Sequence, residues 1–323
     1  MPQKTWLSLW LLRGYNEQKT KLGEVMSREI GQVLFNQAIE LAQSLPAAGV
    51  LAYREQIASF DSPEKAREKV RLVVAVRGEK GRGQAEELFG EVVVVPRANL
   101  TRQAQISLGV LASISQGFFK SGDLLVCLAG PWNEPGLDTL QVVRVREAGA
   151  ALCATCQDSL HHSIASQAFN SALTLAVELA QEGREGRPIG TIFVLGDHEK
   201  VLQFSRQLVL NPFAGYPEES LSILHQEMKE TIREYSSLDG AFVIRGDGVL
   251  VAAGRQLSAS SMGLELPQGM GARHHAAAAI TAITEAVAIV ISESSGTVTV
   301  FIKGQIVASL EKARPGLESE GEA

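Results

Sequence analysis

Apolar residues recur at helical spacing from Gly23 to Leu45, where Val25, Ile30, Val33, Leu34, Ala38, Leu41 and Ala42 share a face and Pro46 ends the run. Strands are then expected over Val50–Tyr53, Arg71–Val76, Glu91–Val95 (stopped by Pro96), Asp123–Ala129 and Leu140–Val145. Between them the spacing predicts a short helix capped by Ser62 with Pro63 at its first position, then helices over Gly81–Phe89 and Thr101–Phe119. Strands alternating with helices imply a small α/β layer with a largely parallel sheet. Glu147–Ala154 reads as a boundary.

Beyond it, helices are expected over Ser163–Glu182, His198–Leu208 and Glu218–Ser236, with a strand over Thr191–Leu195. From Asp239 the punctuation becomes dense. Strand Ala241–Ile244 follows an Asp-Gly pair, and the turn Gly246-Asp247-Gly248 leads into strand Val249–Ala253. A Gly/Pro-rich loop then delivers Arg273-His274-His275 to the start of an alanine-rich helix. Strands Ala286–Ile291 and Thr297–Ile302 close the pattern around a Ser-Ser-Gly turn. The fold class expected is two-domain mixed α/β, with domains over 1–150 and 155–312 and a disordered tail over 313–323.

Composition narrows the possible functions. A chain of 323 residues, 45% hydrophobic and 20% charged, suffices for two globular cores. Its net charge of −6 argues against broad nucleic-acid binding, and no apolar run reaches the ~18 residues of a membrane span. The apolar start lacks the length and cleavage site of a secretory signal, so a cytoplasmic protein is expected. Three cysteines make no disulfide framework. Cys153-x-x-Cys156 before His161-His162 has zinc-ligand chemistry but no second pair, and reads better as a junction with incidental thiols. The loop Arg77–Gly83, with Lys80 and Arg82, is either an anion cradle or, preferably, a solvated turn.

The groups capable of chemistry collect at element ends. Asp239 opens a strand, Arg273 and His274 open a helix, and Ser292 and Glu293 end a strand. Strand ends and helix N-termini are where α/β proteins hold anionic ligands. These residues alone imply a phosphorylated ligand and a possible metal.

Taken in order, Asp239-Gly240-Ala241, Gly271-Ala272-Arg273-His274-His275 and Ser292-Glu293-x-x-Gly296 resemble the catalytic domain of diadenylate cyclases, whose motifs are Asp-Gly-Ala and Gly-Thr-Arg-His-Arg. The likeness extends upstream to about His161, through Gly183-Arg184-Glu185-Gly186-Arg187 and Gly190–Val194. Residues 23–146 resemble, less specifically, the C-terminal domain of pyruvate kinase, on Gly122-Asp123, a strand, a Gly-rich turn and a Thr139-led strand. Some archaeal-type diadenylate cyclases pair these two domain types.

The resemblance implies condensation of two ATP into cyclic di-AMP and two pyrophosphates, with Mg²⁺ or Mn²⁺ as cofactor. It also implies self-association of the catalytic domain, since two nucleotides must face each other. It casts Asp239, Arg273, His274 and Glu293 as catalytic, with Asp239 and His274 as metal ligands. ATP contacts fall to Gly240, Ala241, Gly254, Leu257, Gly271, Ala272, Arg273, His274, His275 and Ser292. Gly240, Gly254, Gly269 and Gly271 fit close backbone approach to a nucleotide. Ala272 stands where the family has threonine and loses a hydroxyl. His275 stands where it has arginine and replaces a permanent charge by a switchable imidazole. A second reading is a nucleotide or cyclic di-AMP sensor with little turnover, and a third is an interaction scaffold. No nucleic-acid or membrane partner is expected.

Overall fold

A computed structural model describes residues 26–120, 122–132, 136–145, 164–259, 263 and 266–313. The apolar start, the Glu147–Ala154 boundary and the Cys153/Cys156/His161/His162 cluster lie outside these residues.

The first sheet contains β1 (Gly49–Tyr53), β2 (Leu72–Arg77), β3 (Glu91–Val95), β4 (Leu124–Ala129) and β5 (Thr139–Arg144), ordered β3-β2-β1-β4-β5. Strands β1–β4 are parallel and β5 pairs antiparallel with β4. Every position of β1 and β2 is buried, as the continuous apolar runs of a two-faced parallel sheet require. Alternation divides the packing. Val50, Ala52 and Val74 face helices α1 (26–44) and α2 (Arg82–Phe89) through Phe35, Ala38, Ala85 and Phe89. Leu51, Tyr53 and Val73 face α3 (Arg102–Ser115). The helical turn at Pro63 forms, but Ser62 sits at φ +49° and makes no side-chain cap.

The second sheet has seven strands: β6 (Ile192–Leu195), β7 (Ser205–Gln207), β8 (Ala241–Ile244), β9 (Leu250–Leu257), β10 (Val287–Ile291), β11 (Val298–Ile302) and β12 (Gln305–Leu310), ordered β12-β11-β10-β6-β8-β9-β7. Only β6 and β8 pair in parallel. Phe193, Phe242 and Ile289 share a core cluster with α4 (Ser166–Glu182) and α6 (Gln226–Tyr235). Val194, Val243 and Ala288 face α5 (His198–Gln203) and α7 (Ala272–Ile283). Short side chains at Ala277 and Ala278, both fully buried, let α7 lie close to the sheet. A mixed α/β fold in two domains is therefore observed.

Three expectations fail locally. The run His198–Leu208 is helical only to Gln203, then becomes edge strand β7. The Arg255 guanidinium bonds the Leu202 and Ser205 carbonyls and the Ser205 hydroxyl at 2.7–2.9 Å, so pairing with β9 overrides helical spacing. Glu218–Ser236 is interrupted because Ser222 bridges to Val249, leaving one helical turn before α6. Strand β12 was not anticipated, and the chain beyond it does not become a free tail at residue 313: the Ala313 N–H donates to the Asn99 carbonyl at 3.0 Å.

That bond belongs to the interdomain seam. Leu100 bridges Lys312, and the Thr101 N–H donates to the Glu311 carbonyl at 3.1 Å. The Ser115 hydroxyl donates to Asn170 at 3.0 Å. Helix α3 is mostly buried between the sheets, its polar Gln105, Ser113 and Ser115 included, while Gln103 stays exposed. Its first turn is capped by the Thr101 hydroxyl, which accepts from the Ala104 N–H at 3.3 Å. Thr101→Ala should cost about 1 kcal/mol in chemical denaturation and Thr101→Ser much less, because only the former removes the acceptor.

Candidate active site

Four segments converge beside α7. Asp239 precedes β8, Arg273 and His274 lie in the first turn of α7, Ser292 and Glu293 follow β10, and Gly190 precedes β6. β6 lies between β10 and β8, so the topology alone brings their ends together. Asp239, Gly240, Leu257, Gly271, Ala272, Arg273, His274, Ser292 and Glu293 line one cavity of about 920 Å³. Ile192, Leu208, Arg255, Gln256, Gly269, Ala276, Ile291 and Ser294 complete its wall.

Arg273 is the hinge of the charge arrangement. Its Nη1 donates to Glu293 Oε2 at 3.2 Å, and its Nη2 stands 3.9 Å from Asp239 Oδ1. The Asp239 side chain is 90% exposed and Glu293 60%, so these contacts add little to stability. Their effect is positional: one guanidinium holds two carboxylates apart at the rim of a cavity.

The guanidinium lies across the backbone at Gly190. A Cβ there would stand 2.7 Å from Arg273 Nη1 and 2.9 Å from Glu293 Cβ, so the absence of a side chain is what permits the crossing. The Gly190-Thr191 motif was visible in the sequence, but its role was not. That needs the pairing of β6 with β10.

Gly240 and Gly254 have a different reason from the one expected. At Gly240 (φ +99°) a Cβ would strike the backbone of Gly254 and Arg255 at 2.7–2.9 Å. At Gly254 (φ +68°) it would meet Val209 at 2.8 Å. The register slips between the pairs Ala241–Arg255 and Val243–Ala252, which marks a β-bulge. These two glycines build the bulge beside Asp239; Gly240 also lines the cavity, whereas Gly254 is not among its lining residues. Gly269 and Gly271 do face open space in the cavity wall. Ala241 is fully buried under α7 and lines no cavity described. His275 is exposed and is not among the lining residues.

His274, by contrast, is only 9% exposed and packs edge-on to Phe301, ring centroids 6.1 Å apart. Burial, with a smaller contribution from His275, lowers its pKa below the ordinary 6.5. It is thus neutral at pH 7 and offers a lone pair. The only described cysteine, Cys127, is remote from this site, its thiol pushed up to about 12 by burial.

Against known proteins, residues 178–306 match the family model described as DisA bacterial checkpoint controller nucleotide-binding, and residues 32–151 match one described as probable sensor domain DacZ_P. A diadenylate cyclase of Methanocaldococcus jannaschii is 39% identical over 203 residues, 62% of this chain and 64% of that protein. A diadenylate cyclase of Haloferax volcanii is 35% identical over 209 residues, 64% of this chain and 75% of that protein. The chain belongs to the diadenylate cyclase family. It spans a little under two thirds of the Methanocaldococcus relative. Among solved structures, a pyruvate kinase of Cryptosporidium parvum is 15% identical, covering 36% of this chain and 22% of its own, with a TM-score of 0.30. That likeness is too slight to bear on the pyruvate-kinase resemblance of the first domain. All three cyclase motifs meet in one cavity, with His275 and Ala241 outside its wall.

Two outcomes are expected. Gly190→Ala should displace Arg273 and lower turnover on the order of 10²-fold in a steady-state assay, with the melting temperature nearly unchanged. For His274 the folded pKa lies below the unfolded one, so the unfolded chain binds more protons as pH falls below about 6.5. Stability of the metal-free protein should therefore fall from pH 7 to pH 5, and His274→Asn should flatten that slope in melting curves.

Proposed function

We propose that this chain condenses two ATP molecules into cyclic di-AMP and two pyrophosphates. The reading is carried by the convergence of Asp239, Arg273, His274, Ser292 and Glu293 on one cavity in a chain of the diadenylate cyclase family. Residues 155–312 would be the catalytic domain and residues 1–150 a regulatory one.

In each half-reaction the 3′-oxygen of one ATP attacks the α-phosphorus of the other. The O–Pα bond forms, the bond from Pα to the bridging β-phosphate oxygen breaks, the hydroxyl proton departs, and pyrophosphate leaves. A second such step closes the ring. Arg273 can fork onto phosphate oxygens and stabilise the charge that develops there. Ala272 and Arg273 open α7, where unpaired backbone N–H groups also favour phosphate. Leu257, Ile192 and Ala276 supply apolar wall for the nucleoside.

The donor set suits a hard divalent cation. Asp239 and Glu293 offer carboxylate oxygens, and neutral His274 a nitrogen. Among the described residues no three His, Cys, Asp or Glu side chains converge as a ready cage. That arrangement fits Mg²⁺ or Mn²⁺ held by one or two carboxylates and completed by phosphate oxygens and water. Bound there, the ion would lower the barrier by neutralising phosphate charge and favouring the alkoxide.

A largely exposed Asp239 leaves the site half-open, whereas electrostatic catalysis works best where water is excluded. A second catalytic domain, bringing the other ATP, would close it, which supports self-association. No helix among the described residues is long and apolar enough to cross a membrane. Purified protein with ATP and Mg²⁺ or Mn²⁺ should yield cyclic di-AMP by mass spectrometry. Asp239→Asn, or a chelator, should lower the yield by at least ~10²-fold. ATP bound without product would instead support the sensor reading.

A further inference from the structure

A second cavity, of about 370 Å³, adjoins the first. The two share three lining residues: Asp239, Arg273 and Glu293. Beyond those shared residues the larger chamber has an apolar wall at Ile192, Leu208, Leu257 and Ala276, beside Arg255, Gln256 and His274. The smaller has Arg184 and Arg187 in its wall, with Glu185 as an acidic neighbour and Pro188, Ile189 and Gly190 alongside.

The two arginines are set side by side by their own turn. Arg184 and Arg187 exchange backbone hydrogen bonds of 2.9 Å in both directions. Between them Glu185 (φ +51°) and Gly186 (φ +74°) both adopt positive φ, the conformation of a tight type I′ hairpin. Glu185 takes this conformation at a steric cost that a glycine would not bear. Arg184 is anchored, donating to Ser237 at 2.8 Å and Glu234 at 2.9 Å, yet its Nε is buried without a partner. The Arg187 side chain is exposed and has no hydrogen bond or ion pair among the described residues. A fixed cation and a free one thus stand beyond Arg273, on the far side of the shared residues.

We infer that this second chamber, through Arg184 and Arg187, is a diphosphate subsite that holds the β- and γ-phosphates of ATP and from which pyrophosphate leaves. The inference rests on the cyclase reading above. Its logic is the location of the bond that breaks. The reaction separates a nucleoside α-phosphate from a diphosphate, and the residues shared by the two chambers are those expected at the α-phosphorus. A nucleoside against the Ile192–Leu257–Ala276 wall of the larger chamber then directs its terminal phosphates towards Arg184 and Arg187. Guanidinium forks match phosphate oxygens, and a diphosphate is the fragment with enough charge to need two.

Calorimetric titration of the full chain with inorganic pyrophosphate and, separately, with AMP, each with Mg²⁺, tests this directly. Arg187→Gln should weaken pyrophosphate binding about ten-fold, the loss of one charge-assisted contact, and leave AMP binding unchanged. Arg187→Lys should restore part of the affinity. The Arg187 side chain has no partner among the described residues, so the variant should melt as the parent does, whereas Arg184→Gln also loses its bonds to Glu234 and Ser237. Equal pyrophosphate affinity in parent and Arg187→Gln, equal weakening of both ligands, or a parent that does not bind pyrophosphate would each overturn the subsite. A parent that binds pyrophosphate through Arg187 but makes no cyclic di-AMP would sink the cyclase reading and leave the subsite standing.

Discussion

The site depends on one guanidinium crossing one glycine. Arg273 reaches from the first turn of α7 over Gly190 to Glu293, with Asp239 on its other side. Each of those groups comes from a different element, and none is fixed by deep burial. Exposed ion pairs contribute little to folding, so the arrangement is maintained by the sheet rather than by its own attraction. β6 sits between β10 and β8, and that order brings the ends of the three strands to a single point. The bulge built by Gly240 and Gly254 then aims Asp239, and the alanine-faced α7 sits close enough to present Arg273.

Much of this was legible in the sequence. Continuous apolar runs such as Leu72–Val76 and Val287–Ile291 could only be buried strands, and alternating helices implied their crossovers. What failed did so where tertiary pairing outweighs local spacing. Residues 204–208 carry helix-compatible spacing, but Arg255 bonds their backbone and draws Ser205–Gln207 into the sheet edge. The pairing of Ser222 with Val249 interrupts an expected helix in the same way. No local signal announces a partner more than twenty residues away.

The candidate site residues divide along the same line. Asp239, Arg273, His274, Ser292 and Glu293 were identifiable by type and motif, and they meet in one cavity. Gly190 was visible only as a letter in a motif, since its purpose is the space it leaves for a side chain from 83 positions later in the chain. Gly240 and Gly254 read as ligand-facing; the packing of strand backbone and Val209 against them adds a second constraint, and Gly240 meets both, since it also lines the cavity. The sequence shows that a residue must be small, but not what it must be small for.

The seam between the domains has a consequence of its own. Residues 311–313 pair with residues 99–101, so the last strand of the second sheet is hydrogen-bonded at its end to the first domain. Lys312, at the centre of that pairing, also lies against the turn after Glu293: a Cβ on Gly296 would stand 2.7 Å from its Cε. Neither half is a detachable module. Separating them would bare the buried apolar residues of α3 and leave β12 an unprotected edge, the kind of surface that recruits other chains. The same seam, through Lys312 and the turn at Gly296, runs beside the segment that carries Glu293.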